Sequence, residues 1–460
     1  MKTVEMDAIL EDVPDYEVFL TVDELRASAQ ALAQAHPDVV SLMPVGHSRS
    51  GDPIEALKIG GGAKKALLFA MPHPNEPIGS MMLEYLSRRL ATDDALRRSL
   101  GYTWHIIKCI DPDGTRLNEG WFKGPFSIGN YARHYYRPPS YQQVEWTFPI
   151  DYKTLHFHDP LPETQALGAL IERVRPDFFY SLHNSGFGGA YFYLSEEAPA
   201  LYEPFHALVR SQDLPLHLGE PELPHAIEYT KAIFRLPQIS EVYDFLAEQT
   251  GQDPANIISG GTSSFDYAST LGDPLCLVCE MPYFYNPAIH DTSASDLTRR
   301  EAILQMVARA REDFDFFQAQ YQAVEDELTI PSPFRDPIEE LLRVFPHRMA
   351  AQENWARTDP KTDRTATVAE KFDNLVAHRF YRLLSGGMLV RMLETQIAAA
   401  GESPALVEAC RKVSAFFESN VEALEVDLDY TVIPIQKLVR VQLGSALLAA
   451  DHAAGRRGAG

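Results

Sequence analysis

The first residues whose types and spacing suggest chemistry are His73 and Glu76. They stand three positions apart in His73-Pro74-Asn75-Glu76, and zinc accepts an imidazole nitrogen and a carboxylate oxygen together. The spacing alone is a weak signal, because it recurs in a Pro-rich stretch with no strand before it, at His217/Glu220 and His225/Glu228. Those two pairs are interpreted as side chains on surface loops. His73 differs because it lies between a predicted strand and a predicted helix, where α/β sheets form ligand crevices.

A second histidine occupies the same kind of position. His183 follows Phe178–Leu182, a short apolar run that predicts a buried strand. On its own, His183 could equally be a histidine of the protein core. Together with His73 and Glu76 it would give one ion three protein ligands, and a tetrahedral zinc would keep its fourth position open, as catalytic sites do.

A carboxylate completes the set. Glu280 ends the apolar run Leu275-Cys276-Leu277-Val278-Cys279. Burying a carboxylate at the end of such a strand is costly unless it has a partner or a task. A zinc site that activates water needs a base to accept the proton, so Glu280 is predicted to be the general base. A structural glutamate held in a salt bridge is the alternative.

The elements that must position these residues alternate between strand and helix over residues 1–290. Two apolar runs separated by a Gly-containing turn predict a hairpin over residues 39–60. Helices are predicted at Val22–Ala35, Pro77–Leu90 and Pro162–Val174, and strands at Lys65–Met71, Trp104–Ile110, Phe178–Leu182 and Leu275–Val278. This alternation predicts an α/β fold with a mixed central sheet flanked by helices. The segment 115–160 lacks clear periodicity and is predicted to be a long functional loop.

Beyond about residue 291 the pattern becomes helical. Apolar residues spaced three and four apart form one helix face: Val307, Ala310, Phe314, Phe317, Tyr321 and Val324. Further helices are predicted around residues 338–357, 365–384, 387–400, 403–423 and 434–452. We therefore predict a catalytic domain over residues 1–293 and an all-helical C-terminal region over residues 294–460. The apolar faces are interpreted as bundle core, with a partner-binding groove as the alternative.

The composition argues against several classes of function. The 460 residues carry a formal net charge of −23, which opposes binding to nucleic acid or to an anionic membrane. No apolar stretch approaches the roughly 18 residues that suggest a membrane-spanning helix, and the acidic N-terminus does not resemble a signal peptide. Four cysteines do not make a disulfide framework, and Cys276 and Cys279 are expected to be inert. A cytoplasmic location is expected.

The candidate residues belong to a longer pattern. Its landmarks occur in this order: Val45-Gly46-His47-Ser48-Arg49-Ser50-Gly51, His73-x-x-Glu76, Asp111-Pro112-Asp113-Gly114, Pro162-Glu163-Thr164-Gln165-Ala166, Ser181-Leu182-His183, and Ser259-Gly260-Gly261-Thr262 with Phe265-Asp266-Tyr267 before the strand of Glu280. From about Asp15 to Pro287 the chain resembles the zinc carboxypeptidase family, the pancreatic-carboxypeptidase type of metallopeptidase. The resemblance implies one zinc ion per chain held by His73, Glu76 and His183. It also implies Glu280 as general base and a mixed eight-stranded sheet.

The substrate-binding residues follow the family pattern less closely. The family usually has an adjacent Asn-Arg pair that binds the terminal carboxylate of the substrate, and residues 115–160 contain no such pair. The candidates nearest to that position are Asn130, Arg133 and Arg137. Arg116 is the candidate for polarising the scissile carbonyl. The remaining substrate-binding candidates are Phe265 and Tyr267, the latter in place of a family tyrosine.

Three functions are compatible with these residues. The leading hypothesis is a zinc carboxypeptidase that hydrolyses the C-terminal peptide bond of a peptide or an amino-acid conjugate. The second hypothesis keeps the fold and the metal but cleaves a small N-acyl amino acid or another amide, and the missing Asn-Arg pair favours it. The third is a non-catalytic zinc-binding scaffold whose helical region binds a partner. Glu280 opposes that third function, because a scaffold needs no base. The oligomeric state stays open.

Overall fold

A nine-stranded mixed sheet forms the centre of the molecule, within residues 3–456 that the computed structural model describes. Its strands are β1 (Val40–His47), β2 (Pro53–Ile59), β3 (Lys64–Ala70), β4 (Tyr102–Ile107), β7 (Phe178–Leu182), β8 (Tyr191–Leu194), β9 (Glu228–Thr230), β10 (Ile233–Arg235) and β11 (Leu275–Glu280). Six short strands lie outside it: β5 (Ile150–Tyr152), β6 (Leu155–Phe157), β12 (Phe284–Tyr285), β13 (Ala294–Thr298), β14 (Thr365–Thr367) and β15 (Thr431–Val432). The order across the sheet is β1-β2-β4-β3-β7-β11-β8-β10-β9, one strand more than the resemblance implies.

Helices flank this sheet and make up most of the C-terminal region. The first eleven are α1 (Thr3–Glu11), α2 (Val22–Ala35), α3 (Ile78–Thr92), α4 (Asp94–Leu100), α5 (Pro112–Arg116), α6 (Glu119–Phe122), α7 (Ile128–His134), α8 (Pro162–Val174), α9 (Pro199–Ser211), α10 (Ile239–Thr250) and α11 (Ser264–Leu271). The others are α12 (Arg299–Gln322), α13 (Arg335–Thr358), α14 (Val368–Phe372), α15 (His378–Ala400), α16 (Pro404–Leu428) and α17 (Ile435–Gly455). The predicted fold class, a mixed α/β sheet flanked by helices with a helical C-terminal region, is confirmed.

Three neighbouring strands at the centre of the sheet run in the same direction. β3 is parallel to β7, and β7 is parallel to β11. Every residue of β7 and of β11 is buried, as expected for strands covered on both faces. Because the three strands share one direction, their carboxyl ends meet at the same edge of the sheet.

Local signals in the sequence set several boundaries. Thr21 and Glu24 form a reciprocal capping box at the start of α2, and Pro162 occupies the first turn of α8. Both helices have the predicted bounds, as does β7. The segment 115–160 is less irregular than predicted, because it contains α6, α7 and the β5–β6 hairpin.

The C-terminal region is mainly, but not entirely, helical. β13 pairs with β14, and β15 pairs with β12. The prediction of an all-helical region was wrong in this detail, because strands of two to five residues are too short to show a periodicity.

A continuous helical segment replaces two predicted helices. α14 joins α15 through a π-helical turn at Asp373–Ala377, and the predicted break between residues 384 and 387 falls inside α15. The glycines there allow close packing on α7. A Cβ atom at Gly387 would lie 2.2 Å from the carbonyl oxygen of Ala132. Glycine therefore marks a close contact between helices here and not a helix end.

The last helix returns to the central sheet. α17 packs against α3 and α9 and against the site strands β7 and β11. The Tyr102 hydroxyl of β4 donates a hydrogen bond to the Ala450 carbonyl at 2.8 Å. The Lys64 ammonium donates to the Ala453 carbonyl at 2.9 Å. α17 thus forms part of the layer that covers the sheet, and the division at residues 293/294 stays a prediction.

Two smaller observations concern the membrane and the thiols. Within the described residues, no helix combines the length and the apolar character needed to cross a bilayer. All four cysteines are free, and Cys276 and Cys279 are buried in β11.

Truncation tests whether the C-terminal region is integral. A fragment of residues 1–295 should be insoluble or unstable, because removing α17 exposes the apolar surface that it covers on the sheet. Soluble yield and thermal melting, compared with a chain ending at residue 456, measure this. A soluble, cooperatively melting and fully active fragment would show that the helices form an independent unit.

Candidate metal centre

The four residues predicted to carry the chemistry meet at one edge of the sheet. His73 and Glu76 lie in the turn between β3 and α3, His183 directly follows β7, and Glu280 is the last residue of β11. Since these strands are neighbours, residues far apart in sequence become adjacent. All four side chains are buried.

Two histidines and a glutamate face a common point. One donor atom from each of His73, Glu76 and His183 lies within 4.8 Å of the other two. Nδ1 of His183 is 3.2 Å from Oε2 of Glu76, and the two imidazole ring centres are 4.8 Å apart. Nδ1 of His73 is buried and has no hydrogen-bond partner among the described residues. A buried polar atom of this kind needs an explanation, and a cation at the common point would supply one.

A hydrogen-bond chain behind His183 orients its ring. The Ser181 hydroxyl donates to Oε2 of Glu145 at 3.0 Å and lies 2.9 Å from Nε2 of His183. Because the hydroxyl proton points to Glu145, the Ser181 oxygen is free to accept the Nε2 proton of His183. That tautomer leaves the Nδ1 lone pair facing Glu76.

The electrostatics of the cluster favour a cation. Burial lowers the pKa of His73 well below its ordinary value, so its ring is neutral and able to bind a metal. Burial also opposes the charged form of His183, but the hydrogen bond to Glu76 and its charge outweigh this effect and raise the pKa of His183. The space between His183 and Glu76 therefore attracts a positive charge, whether a proton or a metal ion. Two histidines and one glutamate are a donor set that fits catalytic zinc.

Glu280 lies beside the cluster. Its Oε1 is 4.0 Å from Nδ1 of His183. Burial raises the pKa of Glu280 well above its ordinary value, the carboxylates of Glu222 and Glu76 raise it further, and Arg137 opposes them. A metal ion nearby would act in the same sense as Arg137. Glu280 is thus placed to exchange a proton with a molecule bound at the cluster.

Arg137 also reaches this site. One of its terminal nitrogens donates to Oε1 of Glu76 at 3.1 Å, and its Nε donates to Gln143 at 3.2 Å. The side chain is 31% exposed, so further donors face the space in front of the cluster. Among the predicted substrate-binding candidates, Arg137 lines the space in front of the cluster, and its substrate-binding role stays a prediction.

Arg116 lies elsewhere, and the role predicted for it is wrong. Its guanidinium forms ion pairs with Asp23 at 2.7 Å and with Asp52 at 2.9 Å. These carboxylates come from α2 and from the turn between β1 and β2, distant in sequence from Arg116. Their attraction holds the arginine away from the cluster.

Asn130 and Arg133 are not at the site either. The Asn130 side chain donates to the Pro125 carbonyl at 2.9 Å. Arg133 forms an ion pair with Glu418 of α16 at 2.6 Å and stacks over the ring of Phe417. Asn130 forms a local hydrogen bond, and Arg133 contacts the C-terminal region. Neither side chain is therefore placed for the substrate-binding role that the sequence predicted.

The two candidates on α11 lie away from the cluster as well. Phe265 is buried in the core. The Tyr267 hydroxyl donates to Glu172, and its ring packs against Phe148. Neither lines the space in front of the metal ligands, because both side chains are used to hold α11 in place.

The ligand cluster opens into a cavity of about 430 Å³, here called the metal-centre cavity. On one side Glu222 accepts hydrogen bonds from the hydroxyls of Tyr191 and Tyr193 at 2.7 and 2.8 Å. The C-terminal region contributes a further part of the wall, through Met306, Gln352, His378 and Tyr381. The helical region therefore helps to enclose the candidate active site.

Sequence reasoning missed several residues of this site. His217 lines the metal-centre cavity and lies 3.4 Å from Asp373 of the π-helical turn, so its interpretation as a surface loop side chain is wrong. Trp146 stacks on the His73 ring at 6.2 Å. Neither contact has a sequence signal, because the partners are brought together by the fold alone.

Gln442 of α17 links the ends of two site strands. Its side-chain nitrogen donates to the carbonyls of His183 at 2.8 Å and of Cys279 at 3.2 Å. The first carbonyl belongs to a predicted ligand and the second precedes Glu280. The residue is fully buried. It therefore fixes the spacing between a ligand and the predicted base.

Replacing a ligand should release the metal. In His183→Ala, elemental analysis of protein loaded with zinc should show most of the bound zinc lost, a larger effect than the roughly 10–100-fold loss of affinity typical of changes around the ligands. The exposed His158, changed to alanine, is the matched control and should retain zinc. Full retention in His183→Ala would remove this residue from the centre.

Comparison with known proteins supports the predicted resemblance. Residues 25–217 match the zinc carboxypeptidase family model. This range includes all three predicted ligands, whereas Glu280 lies beyond it. Zinc carboxypeptidase A 1 of Anopheles gambiae is 29% identical over 129 residues, which cover 25% of this chain and 30% of that protein. The chain thus matches less than a third of the length of this curated relative.

Solved structures give weaker likenesses. The carboxypeptidase A from Helicoverpa armigera has a TM-score of 0.40 and 14% identity, covering 77% of this chain and 80% of that chain. A metallo-carboxypeptidase from Burkholderia cenocepacia has a TM-score of 0.35 and 17% identity, covering 57% of this chain and 60% of that chain. Because these scores are low, the resemblance depends on the sequence match. The predicted resemblance is confirmed over residues 25–217, which match the zinc carboxypeptidase family model.

Proposed function

We propose that this chain is a zinc-dependent carboxypeptidase that hydrolyses the C-terminal peptide bond of a peptide or an amino-acid conjugate. The observation that supports it most is the meeting of His73, Glu76 and His183 at one point, with Glu280 beside them. The match of residues 25–217 to the zinc carboxypeptidase family supports the same reaction class.

In this proposal His73, Glu76 and His183 hold one zinc ion. When bound, zinc supplies Lewis-acid chemistry, which polarises a carbonyl group and lowers the pKa of a water molecule. The protein contributes the orientation. Ser181 and Glu145 fix the ring of His183, and Arg137 with the backbone of Asn184 holds the Glu76 carboxylate, through bonds of 3.1 Å each.

Glu280 moves the proton in the proposed mechanism. It takes one proton from the attacking water as the water oxygen bonds to the scissile carbonyl carbon. It then passes this proton to the nitrogen of the leaving amine as the carbon–nitrogen bond breaks. Arg137 donates hydrogen bonds to the carbonyl oxygen while that oxygen carries negative charge. This role was predicted for Arg116 and passes to Arg137 because of its position.

A small-molecule amidase is the second candidate. The C-terminal region encloses part of the metal-centre cavity, through Gln352, His378 and Tyr381. Such a cavity favours compact substrates, among them N-acyl amino acids.

We also propose a cytoplasmic location for this protein. Its four unpaired thiols support this location, because disulfides are rare in the cytosol.

A substrate panel separates these functions. Peptides with varied C-terminal residues and a set of N-acyl amino acids are incubated with the zinc-loaded protein, with and without chelator. The proposal expects chelator-sensitive release of the C-terminal residue of peptides. Hydrolysis of N-acyl amino acids alone would favour the amidase, and no hydrolysis of either set would favour a non-catalytic scaffold.

Removing the base tests the mechanism. Glu280→Gln keeps the size of the side chain but cannot accept the proton. Zinc should stay bound while kcat falls by roughly 10²–10⁴-fold, measured on the best peptide of the panel. The exposed Glu248→Gln is the matched control and should be unaffected. Normal turnover by Glu280→Gln would assign the base to another residue.

A further inference from the structure

The four residues that follow His183, here called the 184–187 segment, lie between the metal ligands and the C-terminal region. All four line the metal-centre cavity. The segment also contacts a second predicted ligand, because the backbone nitrogen of Asn184 donates to Oε2 of Glu76 at 3.1 Å. A displacement of the 184–187 segment would therefore disturb His183 and Glu76 together.

Two consecutive residues of α15 hold the far end of this segment. The Tyr381 hydroxyl donates to the Phe187 carbonyl at 2.8 Å. The ring of Phe380 lies against Gly186, where a Cβ atom would overlap it. Phe380 is fully buried, and its ring centre is 6.2 Å from that of Phe187. A side chain at position 186 would push the segment and the helix apart, because a packed interior leaves no room for it.

The segment is held at its near end and in its middle as well. Gln442 of α17 donates to the His183 carbonyl at 2.8 Å, so a second helix of the C-terminal region contacts this backbone. The backbone nitrogen of Tyr283 donates to the Gly186 carbonyl at 3.1 Å. Because these bonds remain when α15 loses one contact, the effect of a single substitution on the segment should be partial.

From these contacts we infer that zinc binding is linked to docking of the C-terminal region, with Phe380 and Tyr381 as positioning residues for the ligand His183. Helix α15 favours the conformation of the 184–187 segment that presents the ligands to the metal. Linkage is reciprocal, so bound zinc should in turn stabilise the docking of α15. The inference rests on the zinc centre of the proposed function, but not on the reaction.

Removing one hydroxyl group tests the link. Tyr381→Phe deletes the hydrogen bond to Phe187 and keeps the ring. Its zinc affinity, measured on the full chain by competition with a chromophoric chelator, should fall roughly two- to fivefold, where fivefold corresponds to the loss of one net hydrogen bond. A contact that serves only overall stability would lower the melting temperature and leave the zinc affinity unchanged.

Tyr102→Phe is the matched control. The Tyr102 hydroxyl donates to the Ala450 carbonyl of α17, also at 2.8 Å, so it too joins the sheet to the C-terminal region. Tyr102 lies beside Lys64 at the start of β3, at the edge of the sheet opposite to the ligands. This variant loses the same group from the same kind of contact and should keep the wild-type zinc affinity.

A steric change and its suppressor test the contact with Phe380. Gly186→Ala forces the segment against this ring and should lower the zinc affinity at least roughly tenfold, as changes around metal ligands do. Phe380→Leu makes room for the added methyl group. The double variant should therefore bind zinc more tightly than Gly186→Ala, since the two residues act through one contact. A double variant no better than Gly186→Ala would contradict the role of Phe380.

Hydrogen exchange tests the reciprocal effect in the wild-type chain. Adding zinc to the metal-free full chain should slow amide exchange in the first turns of α15, residues 378–388, at least roughly twofold, measured by mass spectrometry. Exchange in α4, which is remote from the ligands, is the internal control and should not change. Two results would overturn the inference: exchange in α15 that does not respond to zinc, or an unchanged zinc affinity in Tyr381→Phe.

These measurements separate the inference from the proposed function, because they record binding and exchange without turnover. Hydrolysis of peptides by a chain whose α15 does not respond to zinc would defeat the inference alone. A zinc-dependent response of α15 in a chain that hydrolyses neither peptides nor N-acyl amino acids would support the link and contradict the proposed reaction.

Discussion

The candidate site depends on one constraint, the common direction of three neighbouring strands. β3, β7 and β11 are parallel, so the residues that follow or end them meet at one edge. This places two histidines and two glutamates together in a buried position. Such a cluster is unfavourable by itself, because the carboxylates repel each other and Nδ1 of His73 has no hydrogen-bond partner among the residues that the structure describes. A divalent cation bound there would offset both costs.

The C-terminal region supports that edge. α17 covers the site strands, and Gln442 donates to the carbonyl of the predicted ligand His183 and to that of Cys279, which precedes the predicted base. Tyr381 of α15 donates to the Phe187 carbonyl at 2.8 Å, in the loop after His183. The helices thus order the residues on both sides of the metal-centre cavity. An extension with no chemical motif of its own thus contributes part of the wall of the metal-centre cavity.

How much the sequence predicted depended on how local each signal was. The bounds of α2 and α8 follow from capping and proline signals within a few residues. The convergence of His73, Glu76 and His183 was predictable, because His73 and His183 closely follow strand ends and Glu76 lies in the same turn as His73. Arg116 was misassigned because its partners, Asp23 and Asp52, are distant in sequence and their attraction decides its position. Contacts such as those of Gln442 need the folded chain, because no pattern in the sequence brings α17 to the sheet.

The most direct test of the central claim is a crystal structure of the zinc-loaded protein with anomalous diffraction recorded at the zinc absorption edge. One strong peak is expected, about 2.0–2.2 Å from a nitrogen of His73, a nitrogen of His183 and an oxygen of Glu76. Glu280 should lie beside this peak without ligating it. A zinc peak elsewhere, or one bound by Glu280 in place of Glu76, would contradict a zinc centre formed by His73, Glu76 and His183.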